Sequence, residues 1–381
     1  MRYIVLFRVP LRNRFRVMKK SIFWASVVLS VFVIWSCKRN DDEPTYPSTP
    51  ISRLYVSFSD IQTDPDLNPF KAVIVFPKAD LDTFGQPDTI TFKSPVTGGR
   101  GIHFDPNTGV IFQGNIAQNQ GNFNNIYLYS VSANGSIGSR STFADTLLRD
   151  VRHLTFDYAT TCLYVASKDS INDNIGYIHV YSTPLNLNST QKKAAHQHLR
   201  ISAQPWGLAL IPGHNELLVS LSSTKQIIRI DSISTKKTGV IVPNKVVTIS
   251  GALRLRGMTY SSKLDVLAVT DYDNGNVYVF ENASTVIDGG GTVSPTRTLN
   301  IKGNSQPRLM DVAIDDRDGK NLLYVIDGFD ASTQTGNRML MRFPLSANGT
   351  TAPEISYEFG QNQTPYALSL DARAGLNMEV Q

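Results

Sequence analysis

One layout recurs six times along this 381-residue chain. The stretches GRGIHFDPNTGVIF, VRHLTFDYATTCLYV, PWGLALIPGHNELLV, LRGMTYSSKLDVLAV, LMDVAIDDRDGKNLLYV and PYALSLDARAGLNMEV each read the same way. An apolar residue, a small or polar one and another apolar one lead into a turn of Asp, Pro, Asn or Gly. A β-branched or aromatic run follows. With Ile102, Leu154, Leu208, Met258, Val312 and Leu368 taken as equivalent, the copies lie 52, 54, 50, 54 and 56 residues apart. A single hydrophobic core seldom serves more than about 250–300 residues. Repeats escape that limit because each unit buries its apolar face against the next, so a period near 50 points to a propeller or another β-repeat array.

Strand signals fill each unit. After LAVT comes the turn DYDNGN and then VYVF, two alternating runs around an Asn-Gly hairpin. A fourth run, TRTLNI in that unit or KVVTIS in the one before, completes four strands, and no helical periodicity competes after residue 50. The fold class expected is all-β: a six-bladed β-propeller of four-stranded antiparallel blades. Bulky residues such as Leu154 and Phe156 alternate with small ones such as Thr155. That alternation suits first strands that crowd around an axis.

The two ends complete each other. The last unit has a first strand near Ala367–Leu370, whereas RLYVSFSD, KAVIVFP and DTITFKS, between residues 53 and 94, are three strands without a first. Joining them closes the ring and removes two open sheet edges. GLNMEV could instead supply the second strand of that blade and displace RLYVSF. The layout resembles NHL- and YVTN-type propellers over about 325 residues, with LYVID and LAVTD similar to their second strands. Such a resemblance implies architecture and leaves activity open.

Ahead of the repeats, Ser21 to Ser36 holds no charged residue and follows Lys19 and Lys20. This run of about 16 residues is shorter than the roughly 20 a spanning helix needs, and it fits a secretory signal. Residues 1–36 are read as that signal, with 1–17 an upstream over-read if Met18 is the start. IWSC resembles a bacterial lipoprotein box, which implies lipidation of Cys37. Asp41, Asp42 and Glu43 resemble the export signal of surface lipoproteins of Bacteroidetes-type bacteria. Residues 37–52, with Pro44, Pro47 and Pro50, then form a tether, and residues 53–381 the propeller. The expected location is the outer membrane, lipid-anchored and on the cell surface or facing the periplasm, with the membrane itself as a partner.

The formal charge of +5 misleads, because residues 1–36 carry seven of the 37 basic residues and no acidic one. From Cys37 onward 30 basic residues face 32 acidic ones, so basicity offers no argument for nucleic acid. Cys162, in TTCLYVAS, is expected as a buried free thiol. The fold must therefore stand on its core alone, and a monomer is expected.

In a propeller the loop leading into each first strand and the loop joining the second strand to the third share one face. The residues at that position are Arg100, Arg152, Trp206, Arg256, Met310 and Tyr366. Guanidinium forks grip planar anions and aromatic faces stack on sugars, so these six are the ligand-binding candidates, for carbohydrate or an envelope protein. The competing role is bracing, with the arginines paired to loop carboxylates such as Asp311. Long polar loops crown that face: SDIQTDPDLNPF, GNIAQNQGNFNN, SKDSINDN and DGFDASTQTGN.

Catalytic signatures are sparse. DYDNGN imitates a calcium loop but carries Gly275 where a ligand oxygen belongs. His196 and His198 could share a metal only with a third ligand that the sequence does not reveal. His103 and His153 flank the presumed axis as general-base candidates. No metal, cofactor or catalytic set is expected. The rival reading is a hydrolase resembling the gluconolactonase group, whose divalent cation at the channel mouth would need carboxylates where this chain has arginines. A binding or scaffold module is the expected function.

Overall fold

The computed structural model describes residues 49–60, 73–84, 96, 98–116, 125–133, 135–169, 175–187, 191–301 and 306–374. The signal, Cys37, most of the tether, DTITFKS and GLNMEV lie outside them. Residues 46–381 form one compact unit.

Six inner strands, 99–105, 151–157, 205–211, 255–261, 309–315 and 365–371, each touch the next around a ring that closes on itself. Each carries one blade outward through antiparallel neighbours. Second strands such as Val110–Asn115, Val266–Asp271 and Leu322–Asp327 are buried at every position, because adjacent blades cover both faces. The outermost strand Ile355–Glu358 alternates half-buried with exposed side chains. That is the period-two pattern of a sheet with one wet face.

Among the described residues, four blades carry a fifth strand beyond the four that the sequence suggests. Gln191–Lys192, Gly239–Val240, Gly291–Val293 and Gly349–Thr350 lie parallel on the fourth strand of the preceding blade. Each belongs to the connection between third and fourth strands, too short and too polar to read as a strand. There it covers a row of unpaired backbone groups.

Closure joins the two ends of the repeat region. Arg53–Phe58 lies antiparallel to Pro365–Asp371, with Leu54 opposite Leu370 and Val56 opposite Leu368, and Val73–Phe76 follows it. RLYVSF is therefore the second strand of the sixth blade. Edge-on aromatic packing of Phe58 on Phe359, with centroids 5.0 Å apart, extends this seam toward the fifth blade. Arg342 donates to the carbonyls of Ala79 and Leu81 at 3.1 and 2.6 Å, and Arg317 pairs with Asp80 at 3.1 Å. The N-terminal strands are thus tied to the fifth blade as well as to their own sheet.

Near the axis, Gly101, Gly207 and Gly257 stand one residue ahead of the first apolar position in three of the repeats. An added Cβ at Gly101 would come within 2.7 Å of the His153 Cα, and one at Gly257 would overlap the Asp311 carboxylate. Inner strands approach that closely only where one of them has no side chain. Among the described residues no helix is long and apolar enough to cross a membrane.

Candidate functional site

A bulge sits in the same place in all six inner strands. Pairing skips between residues 99 and 102, 151 and 153, 205 and 208, 255 and 258, and 309 and 311. A bulge re-aims a side chain out of the sheet alternation. In the sixth strand pairing skips between 365 and 367, so Arg100, Arg152, Trp206, Arg256, Met310 and Tyr366 each fall within a bulge.

The six form one contact network at this end of the channel. The Arg100 guanidinium lies 4.5 Å over Tyr366, whose ring stacks on Trp206 at 5.9 Å and 29°. Arg152 sits 4.3 Å over Trp206 and donates to the Tyr366 hydroxyl. Arg256 is sandwiched, 3.9 Å from the Trp206 ring and 3.4 Å from that of Tyr272. Its Nη1 meets the Met310 sulfur at 2.7 Å. Trp206, Tyr272, Met310 and Tyr366 are buried, so rings and guanidinium planes fill this mouth.

Asp311 does not serve as counter-ion here. Its carboxylate accepts the backbone N–H groups of Val312 and Leu368 and lies 3.6 Å from the His153 imidazole. The arginines find other carboxylates. Asp150 pairs with Arg100 at 3.1 Å and Arg152 at 2.7 Å. Asp273 pairs with Arg254 at 3.0 Å and Arg308 at 2.9 Å. Asp150 stands two residues before Arg152, and Asp273 lies in the DYDNGN hairpin. Both positions were readable as loops of this face, but nothing in the sequence assigns an aspartate to two arginines. The hairpin takes no calcium-loop shape: buried Asp271 spends its carboxylate on the N–H groups of Leu253, Arg254 and Asp273 and on the Tyr278 hydroxyl.

Among the described residues four guanidinium groups thus share two aspartates, and Arg256 is left over. Among the described residues it has no carboxylate partner, and its Nε is buried without a hydrogen-bond acceptor. Burial lowers its pKa to about 10, partly offset by Tyr272 and Tyr366. Cation–π contacts contribute roughly 0.5–2 kcal/mol each, against several kcal/mol for removing an ion from water. Two ring faces therefore do not clearly compensate it.

The opposite end of the channel is open. A cavity of about 650 Å³ lies there, walled by Ile102, Leu208 and Val312 and presenting Thr155, Thr259 and Ser369. His103 and His153 border it. The His153 Nδ1 accepts the Leu208 N–H at 3.4 Å, so its Nε2 carries the proton toward Asp311. Burial and nearby His153 hold the His103 pKa at about 3, which leaves a neutral ring at working pH. A general base tuned near neutrality is not what that position offers.

Of the remaining sequence candidates, Cys162 is buried as a free thiol. His196 is exposed just before the strand Gln197–Ile201, while the His198 ring meets His179 instead. Of the long loops, DGFDASTQTGN is described throughout, and its Asp330 accepts the Tyr272 hydroxyl at 3.2 Å.

No protein-family model matches the chain, and no curated protein matches it in sequence. Among solved structures it is similar to the periplasmic gluconolactonase PpgL of Pseudomonas aeruginosa, at 13% identity and a TM-score of 0.53, covering 85% of this chain and 99% of that one. It is also similar to a chain of the nidogen/laminin complex, at 10% identity and a TM-score of 0.50 over 84% and 98%. A candidate 6-phosphogluconolactonase from Bacteroides uniformis matches at 11% identity and a TM-score of 0.51 over 81% and 83%. At these identities the likeness speaks for the six-bladed fold and not for a site.

Proposed function

We propose that this chain is a cell-envelope binding module, anchored through lipid on Cys37, whose arginine mouth takes a carboxylated glycan. The observation that carries the reading is Arg256, a half-buried guanidinium held between two rings, its Nε buried without an acceptor and with no carboxylate partner among the described residues. A sugar acid supplies what that position lacks, a planar anion for the fork, and reaches it where the stack of Trp206 and Tyr366 parts to admit it. The anchor rests on the Lys19-to-Glu43 sequence, and a location at the outer membrane follows from it.

Calorimetric titration of the protein with uronic-acid oligosaccharides and their neutral counterparts tests the ligand. Binding of the acidic series alone is expected, weakened at least tenfold in Arg256→Met, because loss of a charge-assisted hydrogen bond leaves the partner's charge unpaired. Equal binding of neutral sugars, or an unchanged Arg256→Met, would overturn it; capture of an acidic envelope protein without glycan would move the partner to the scaffold role. Radiolabelled palmitate reaching wild type but not Cys37→Ala tests the anchor.

A second reading is favoured by the open cavity at the other end, whose volume of about 650 Å³ lies within the range of small-molecule sites. A hydrolase acting on a lactone there would use His153, its Nε2–H held toward Asp311 and its Nδ1 taking the proton once the long 3.4 Å contact with the Leu208 N–H opens. Turnover of aldonolactones that disappears in His153→Gln, with or without added calcium, would establish it. The clamping of Asp150 and Asp273 by arginine pairs weighs against a divalent cation at the arginine mouth.

A further inference from the structure

Outside the channel, two histidines and an aspartate converge between the first and second blades. His179, in the third strand Gly176–Ser182, lies directly opposite His198 in the fourth strand Gln197–Ile201. Opposed residues of an antiparallel pair share a face, and here the two Nδ1 atoms are 2.9 Å apart. Asp145 enters from the preceding blade, just past its fourth strand, Ile137–Ala144. One donor atom from each of the three lies within 4.8 Å of the others.

Two of the three ligand candidates, His179 and Asp145, are held by further groups. Ser167 Oγ is 2.8 Å from the His179 Nε2. With the Nε2 proton donated to that oxygen, Nδ1 presents its lone pair to the cluster, as outer partners of metal-bound imidazoles do. The Asp145 carboxylate accepts the Leu147 and Ala195 N–H groups at 2.9 and 2.8 Å and the Tyr181 hydroxyl at 2.9 Å. A carboxylate offers about four lone-pair positions, so one remains.

We propose that Asp145, His179 and His198 bind one divalent transition-metal ion of the zinc type, with its open coordination position facing the adjoining pocket. That pocket, about 240 Å³, is bordered by Arg149, Lys168, Asp169 and Tyr177. Two imidazoles and one carboxylate suit zinc, cobalt, nickel or copper, whereas calcium and magnesium favour oxygen alone. Bonds of about 2.0–2.2 Å to a tetrahedral ion place donors roughly 3.3 Å apart. The imidazoles must open slightly and the carboxylate must draw in by up to about 1.5 Å. In the absence of an ion, one Nδ1 donates to the other, and binding displaces that proton. Neighbouring blades would then be cross-linked through the ion, and its open position could accept an anion beside Arg149 and Lys168.

Titrating Co²⁺ into the chelator-stripped full chain tests the site. The expected result is a four-coordinate visible spectrum saturating at one ion per chain and lost on adding Zn²⁺. His198→Gln and Asp145→Asn should each weaken binding at least tenfold while His196→Ala leaves it unchanged, and circular dichroism melts report whether each variant is folded. Absence of a saturating spectrum in wild type, retention of binding in a folded His198→Gln, or equal loss in His196→Ala would each overturn the proposal.

Discussion

The two ends of the channel are built from the same six strands and end up opposite in kind. At one, bulges turn arginine, tryptophan and tyrosine side chains onto the axis, where they stack until the opening is filled. At the other, the regular alternation resumes and turns Thr155, Thr259 and Ser369 toward the axis, leaving about 650 Å³ of open space. The difference is one of side-chain volume at equivalent positions, because the backbone ring is common to both. What seals a propeller axis is therefore which residues the bulge aims, and the seal here carries more positive than negative charge.

The largest expected effect tests whether the seal is structural. Trp206→Ala removes the ring that Tyr366, Arg152 and Arg256 all stack against. Truncating a buried tryptophan costs about 3–5 kcal/mol. The melting temperature should fall by many degrees, measured by calorimetry, and the cavity at the open end should gain access to the opposite face. A near-neutral result would mean that the stack is surface decoration.

The next test concerns the loops that frame the arginine mouth. Asp327 accepts the Arg308 and Asn337 N–H groups and the Asn337 amide, and burial raises its pKa from 3.8 to about 6 despite them. A carboxyl with a raised folded-state value binds its proton more tightly folded than unfolded. Its contribution is complete below about pH 4 and is lost as the pH rises through 6, by on the order of 2–3 kcal/mol. Melting temperatures of wild type from pH 4 to 7.5 should therefore fall more steeply than those of Asp327→Asn. Parallel curves would remove Asp327 from the account.

Much of this was legible in the sequence and some could not be. The period near 50 fixed the blade count, and the two incomplete ends predicted the pairing of RLYVSF with PYALSL. The six mouth residues were found by alignment alone, because a repeat transfers position from copy to copy. What alignment cannot transfer is pairing between blades. Asp311 looked like the counter-ion because it adjoins Met310, yet a strand's alternation turns it inward toward His153. Asp150, Asp273 and Tyr272 come from loops whose partners depend on the angle between blades. The same limit hid the third member of the histidine cluster: Asp145 is more than 50 residues from His198 in sequence and meets it only across a blade boundary.

Arg256 separates the two ends more finely. Replacing even a buried ion pair by apolar side chains of similar volume is often neutral or stabilising by about 1–4 kcal/mol, and Arg256 has no counter-ion to lose among the described residues. Arg256→Met should therefore hold or raise the melting temperature by about 1 kcal/mol in equivalent stability while abolishing the anion response. Arg152→Met, which strands Asp150 beside Arg100 alone, should lose stability. If both variants behaved alike, Arg256 would have a partner and the mouth would be balanced.

The smallest effect on stability comes from filling the open end. Thr259 borders the cavity and is half-buried. Thr259→Phe places a ring into empty space without displacing packed atoms, so stability should change by no more than about 0.5 kcal/mol. Its consequence is selective: a ligand seated in the cavity loses room, while one held by Arg256 and Trp206 does not. Titration of Thr259→Phe with whichever ligand binds wild type then assigns that ligand to one end, since loss in this variant with retention in Arg256→Met places it in the cavity and the reverse places it on the arginines.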